Sequence, residues 1–239
     1  MPRSAAPGSL INRELVATAR RELEAAADPA RAAPMQAYMK SEMPYRGVQS
    51  AGVKAISRRV FAAHRLDSFE AWRDTVLELW RGSHFREERY VALALTGHPA
   101  YSEYQVPAAL SMYEEMILTG AWWDYVDEIA VRRIGPLLVS HRPELEQLLG
   151  EWSTDETVWK RRTSIIAQVG LKRATDTRLL TTMIEPNLAD RDFFIRKAIG
   201  WALRAYAWVE PDWVRAYVTA NESRLSGLSR REALKNIGR

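Results

Sequence analysis

The chain has 239 residues, 47% of them hydrophobic, enough to bury a substantial core. It has no cysteine, which excludes disulfides and cysteine-ligated metal and fits a reducing compartment. Its formal charge is +4, from 34 basic and 30 acidic residues, and no apolar run reaches the ~20 residues that a membrane helix needs. These bounds lead us to expect a soluble cytoplasmic protein with no membrane contact.

The start, MPRSAAPGSL, is too short and too polar for a signal peptide. It reads as a disordered tail over residues 1–10, followed by one domain over 11–239. NRELVATARRELEAAA places Leu15, Ala19, Leu23 and Ala26 on one helical face, with Asn12 as cap. Met43 to Leu66 carries Arg46, Lys54, Arg58, Arg59 and Arg65 and no acid. LDSFEAWRDTVLELW spaces Phe69, Trp72, Val76, Leu79 and Trp80 as a helix does, after Asp67 or Ser68 as cap. The pairs Glu87–Glu88 and Glu114–Glu115 read as solvated helix faces. Pro99, Pro107, Pro136, Pro143, Pro186 and Pro211 mark boundaries, because proline is tolerated in first turns and loops.

TGAWWDYVDEIA, residues 119–130, breaks the basic pattern with two tryptophans and three carboxylates. Taken as a helix, it aligns Trp122, Val126, Ile129 and Arg133, the first three as a core stripe. Adjacent residues stand ~100° apart on a helix, so Trp123 and Asp127 share a different face. That face fits a site, and it fits packing between neighbouring helices with a solvated Asp127. Thr157 to Thr175 holds Lys160, Arg161, Arg162, Lys172 and Arg173 without an acid. Here Arg162 falls on the stripe of Val158, Ile165 and Val169, where an unpaired charge is costly. It must either pair with an acid or reach an anion such as phosphate.

FFIRKAIGWALRAYAWV puts Ile195, Ile199, Ala202, Leu203 and Tyr206 on a core face. Lys197, Trp201, Arg204 and Trp208 lie on another, the alternation of cations and rings that a nucleic-acid surface uses. Packing against a further helix accounts for the two tryptophans equally well. The C-terminal SRLSGLSRREALKNIGR sets five basic residues against the single acid Glu232.

Period-two alternation is nearly absent, so the predicted fold class is all-α. About a dozen helices of 10–18 residues are expected, in antiparallel pairs joined by short loops. Their spacing of roughly 35–45 residues is that of HEAT-like repeats. Such degenerate pairs stack into a curved α-α superhelix, whose concave groove would collect the basic segments. The four histidines are scattered, and no zinc signature, phosphate-binding glycine loop or nucleophile elbow occurs. Neither a metal nor a nucleotide cofactor is expected.

Several long motifs, in order from Arg31 to Ile237, resemble the bacterial AlkD-type DNA alkylation repair glycosylases. They are AYMKSEMPYRGVQSAGVKAISR, GAWWDYVDEIA, VWKRRTS, FFIRKAIGWALRAYA and LSRREALKNI. The resemblance implies a HEAT-like repeat glycosylase that holds duplex DNA in a basic groove. Such an enzyme excises purines made cationic by alkylation at N3 or N7, acting as a monomer on DNA in the bacterial cytoplasm. It also implies little need to draw the damaged base into a deep pocket. By motif, the catalytic carboxylate falls on Asp127, the two lesion-facing indoles on Trp123 and Trp201, and a DNA-contacting arginine on Arg162. The DNA surface is extended by Lys197, Arg204, Gln49, Tyr38 and Arg58. A DNA-structure-binding relative without excision, and a helical protein scaffold, are the alternatives.

Overall fold

Short polar side chains start the helices of this chain. Asn12, Asp28, Ser68, Asp176, Asp192 and Ser226 each accept a backbone N–H from the first turn that follows. A computed structural model describes residues 10–237, so all of the expected tail except the exposed Leu10 lies outside the described residues. Among those residues there is no strand, and the protein is all-α. Fourteen α-helices of 6–14 residues form among the described residues, shorter than the sequence pattern suggested. Turns and 3-10 segments at proline consume the difference.

The chain divides into two compact units after Tyr104. The first holds α1 (Arg13–Ala25), α2 (Pro29–Met39), α3 (Ser50–Ala63), α4 (Phe69–Arg81) and α5 (Arg86–Thr96). The second holds α6 (Leu110–Gly120), α7 (Trp123–Ile129), α8 (Gly135–Ser140), α9 (Arg142–Trp152) and α10 (Val158–Ile166). It continues through α11 (Thr177–Ile184), α12 (Phe193–Tyr206), α13 (Pro211–Ala220) and α14 (Gly227–Leu234). Within each unit a helix packs on its neighbour and on the one after next. Thus α3 lies against α1 and α5, and α12 against α10 and α14. This local stacking is the packing mode of helical repeats.

In the first unit, Leu15, Ala19, Leu23, Trp72, Val76, Leu79 and Trp80 are buried as their spacing requires. Ala26 is instead the exposed C-cap of α1, and Val16 takes a core place. Ser68, not Asp67, caps α4. Glu87 and Glu88 overturn the solvated-face expectation, for both are buried. Glu87 accepts the backbone N–H groups of Arg46, Gly47 and Val48 at 2.9–3.0 Å. Glu88 takes Arg20 at 3.2 Å and Arg46 at 3.4 Å. Three consecutive donors with no helix to satisfy them need an acceptor, and one carboxylate serves all three. Gly47 makes the turn possible, because its φ is +88° and a Cβ there would lie 2.0 Å from the Asp28 carbonyl oxygen.

The second unit buries Ile165, Ile166, Ile184, Ile195, Ile199 and Leu203 in one cluster. The run from α7 into α8 contains an irregularity. After α7 the chain makes a π-helical turn over Ala130–Ile134 before α8. Such widened turns are concentrated at functional sites. Glu114 is half-buried rather than solvated and pairs with Lys160 at 2.6 Å. No helix among the described residues is long and apolar enough to cross a membrane.

Candidate active site

The acidic, aromatic stretch does not begin as a helix. Ala121 is left-handed at φ +41°, and Trp122 is extended, so α7 starts only at Trp123. Trp122 therefore leaves the stripe assigned to it. Its ring joins those of Trp159 and Phe194, with centroids 5.5 Å from Phe194 and 6.2 Å from Trp159. Trp159 and Phe194 are themselves 4.9 Å apart. Val126 and Ile129 keep their core places, and Arg133 pairs with Glu128 at 3.0 Å. Trp123, in the first turn of α7, is partly exposed, and Asp127 lies one turn further on.

Asp127 is clamped. Arg162 of α10 donates Nε to Oδ1 at 2.7 Å and Nη2 to Oδ2 at 2.8 Å, a two-pronged fork. Its Nη1 donates to the carbonyl of Phe194 at 2.7 Å, in the first turn of α12. One guanidinium thus joins α7, α10 and α12. Its side chain is 6% exposed and that of Asp127 is 17% exposed. Arg162 takes the paired alternative that its place on an apolar stripe left open. Three of its five N–H donors are spent on protein acceptors. Burial pushes the Asp127 carboxyl above the usual carboxylate range, the Arg162 fork pulls against that rise, and nearby Asp124 adds to it. The fork occupies one face of the carboxylate, and each oxygen keeps a further acceptor position.

On α12, Trp201 is partly buried at the edge of the core and lines an open cleft with Arg204 and Trp208. Its ring makes no contact with that of Trp123. Lys197 reaches Glu232 of α14 at 3.0 Å, and Arg204 pairs with the same carboxylate. Burial raises the Glu232 carboxyl, but the Lys197 hydrogen bond and the charges of Lys197, Arg204 and Lys235 outweigh it and hold the group low. Gly200 permits this, since a Cβ there would lie 2.5 Å from Cβ of Glu232. The acid-free run Phe193–Val209 is therefore neutralised in part from another helix. Glu232 stood out in the sequence as the lone acid of its segment, which was the signal available.

The remaining expected DNA contacts lie in the first unit. Tyr38 is 80% exposed at the end of α2. Gln49 is exposed at the cap position of α3, and Arg58 is exposed on α3 with no ion pair among the described residues. The sequence reading missed the Phe194 carbonyl, which only the fold brings to Arg162.

A sequence profile of the family described as DNA alkylation repair enzyme matches residues 19–237. No curated protein matches the chain. A solved structure titled "Predicted DNA alkylation repair enzyme from Enterococcus faecalis" is similar at 29% sequence identity. The similarity covers 89% of this chain and 97% of that one, with a TM-score of 0.80. On a match that spans nearly the whole sequence and includes every residue of the clamp, the chain belongs to the DNA alkylation repair enzyme family.

Proposed function

We propose that the protein is a monofunctional DNA glycosylase of the AlkD type. It hydrolyses the N-glycosidic bond of purines made cationic by N3 or N7 alkylation in duplex DNA, as a monomer and without a cofactor. The observation that carries this reading is the part-exposed Asp127 carboxylate, held by Arg162 one turn from the accessible indole of Trp123. Alkylation has already placed a positive charge on the base. The glycosidic bond therefore breaks with its electron pair moving onto the base, and no acid is needed to protonate the leaving group. Positive charge then develops on the deoxyribose, as in glycoside hydrolysis. Asp127 stabilises that charge, orients a water and accepts the proton that the water loses as its oxygen bonds to C1′, which leaves an abasic site. The ring faces of Trp123 and Trp201 attract the same cation. Arg162 acts by position, keeping the carboxylate ionised and aimed. Lys197 and Arg204 of the second unit, and Arg58, Gln49 and Tyr38 of the first, contact the DNA backbone.

A second reading, a DNA-structure binder without excision, draws on the same clamp, because both oxygens of Asp127 are engaged by Arg162. Release of free base from a duplex containing 7-methylguanine separates the two. The glycosylase reading predicts time-dependent release with abasic sites accumulating in equal amount. Tight duplex binding with no released base would establish the binder instead.

A further inference from the structure

The cleft beside Trp201 has contents that the reaction described above does not use. It has a volume of about 760 Å³, in the range of small-molecule sites, and lies between the end of α12 and the 3-10 turn Lys172–Ala174. Trp208 stands just past the end of α12 at 75% exposure, and its indole makes no ring contact or hydrogen bond among the described residues. An indole exposed to this extent contributes little to the fold. Lys172 and Arg173 line the same cleft, are exposed and form no ion pair among the described residues. Their neighbours on α10 behave otherwise. Lys160 pairs with Glu114 and Asp155, Arg161 with Asp190, and Arg162 with Asp127. Lys172 also adopts a left-handed backbone at φ +53°, a strained conformation for a residue with a side chain.

We propose that this cleft binds one unstacked nucleotide of the bound DNA, its base on the face of Trp208 and its phosphate on Lys172 and Arg173. Every base has a π-face that an indole accepts whatever the sequence, and every nucleotide carries one phosphate. Two unpaired cations and a free indole lining one largely apolar cleft match that combination. The alkylated base leaves during the reaction, so the occupant is a neighbouring or opposing nucleotide that loses its stacking partner. The inference rests on the DNA-binding part of the reading above. It adds a site that favours locally unpaired DNA.

The test compares two labelled duplexes of one sequence, one fully paired and one with a single unpaired nucleotide, by fluorescence anisotropy. The wild-type protein binds the interrupted duplex more tightly. Trp208→Ala weakens that complex about tenfold and leaves the paired duplex nearly unchanged, while Trp208→Phe retains most of the preference. The double variant Lys172→Ala/Arg173→Ala loses the preference as well. Equal weakening on both probes, or no weakening on either, overturns the proposal and leaves duplex binding standing. Failure of the wild-type protein to bind either probe removes the DNA reading itself.

Discussion

At Asp127 two forces oppose each other. Burial disfavours the anion, while the Arg162 fork favours it, and the balance leaves the carboxyl above its usual range. Catalysis as proposed needs the anion, which exists above the folded-state pKa. The rate of base release should therefore fall on acidification along a limb lying above the ordinary aspartate value of about 3.9. Arg162→Lys retains a charge but not the fork, and should move that limb to higher pH in a pH–rate profile. A limb that stays in place would show that Arg162 does not act through Asp127. Arg162→Ala strands a largely buried carboxylate and should cost about 3 kcal/mol of stability by denaturant titration. Helical periodicity set Asp127 off the core and left Arg162 with two options. It could not supply the partner, because the two are 35 residues apart and meet only through packing of α7 on α10.

At the scale of elements, the acids that organise the molecule were the hardest to read. Glu87 looked solvated because adjacent charged residues usually lie outside, yet the loop before α3 supplies three backbone donors that need an acceptor. Glu87→Ala leaves those donors unsatisfied. It should cost about 3 kcal/mol or more, seen as an earlier denaturation midpoint, and it should loosen the start of α3, where Gln49 sits. An unchanged midpoint would mean that water replaces the carboxylate freely. The start of α7 was misplaced for a related reason. The pattern of apolar residues runs smoothly through Trp122, but the left-handed Ala121 and extended Trp122 delay the helix by one residue and turn that indole toward Phe194. Apolar spacing records which residues are buried, and it does not record where the backbone changes direction.

For the whole molecule, the helical class and the buried faces of α1, α4 and α12 were legible because amphipathic spacing and capping residues agree there. The charge distribution was legible only in part. Basic runs that look uncompensated along the chain gain acids from other helices, as Arg59 does from Glu22 and Lys197 from Glu232. Lys54 and Arg58 are exposed cations left without an ion pair among the described residues. These residues should give duplex binding a marked salt dependence. The account depends most on the Asp127 carboxylate meeting a sugar as it becomes cationic. Single-turnover release of 7-methylguanine by Asp127→Asn, measured beside duplex affinity, tests that directly. The rate should fall at least ~100-fold while affinity and its salt dependence persist. Release within about twofold of the wild-type rate, at equal affinity, would contradict the account.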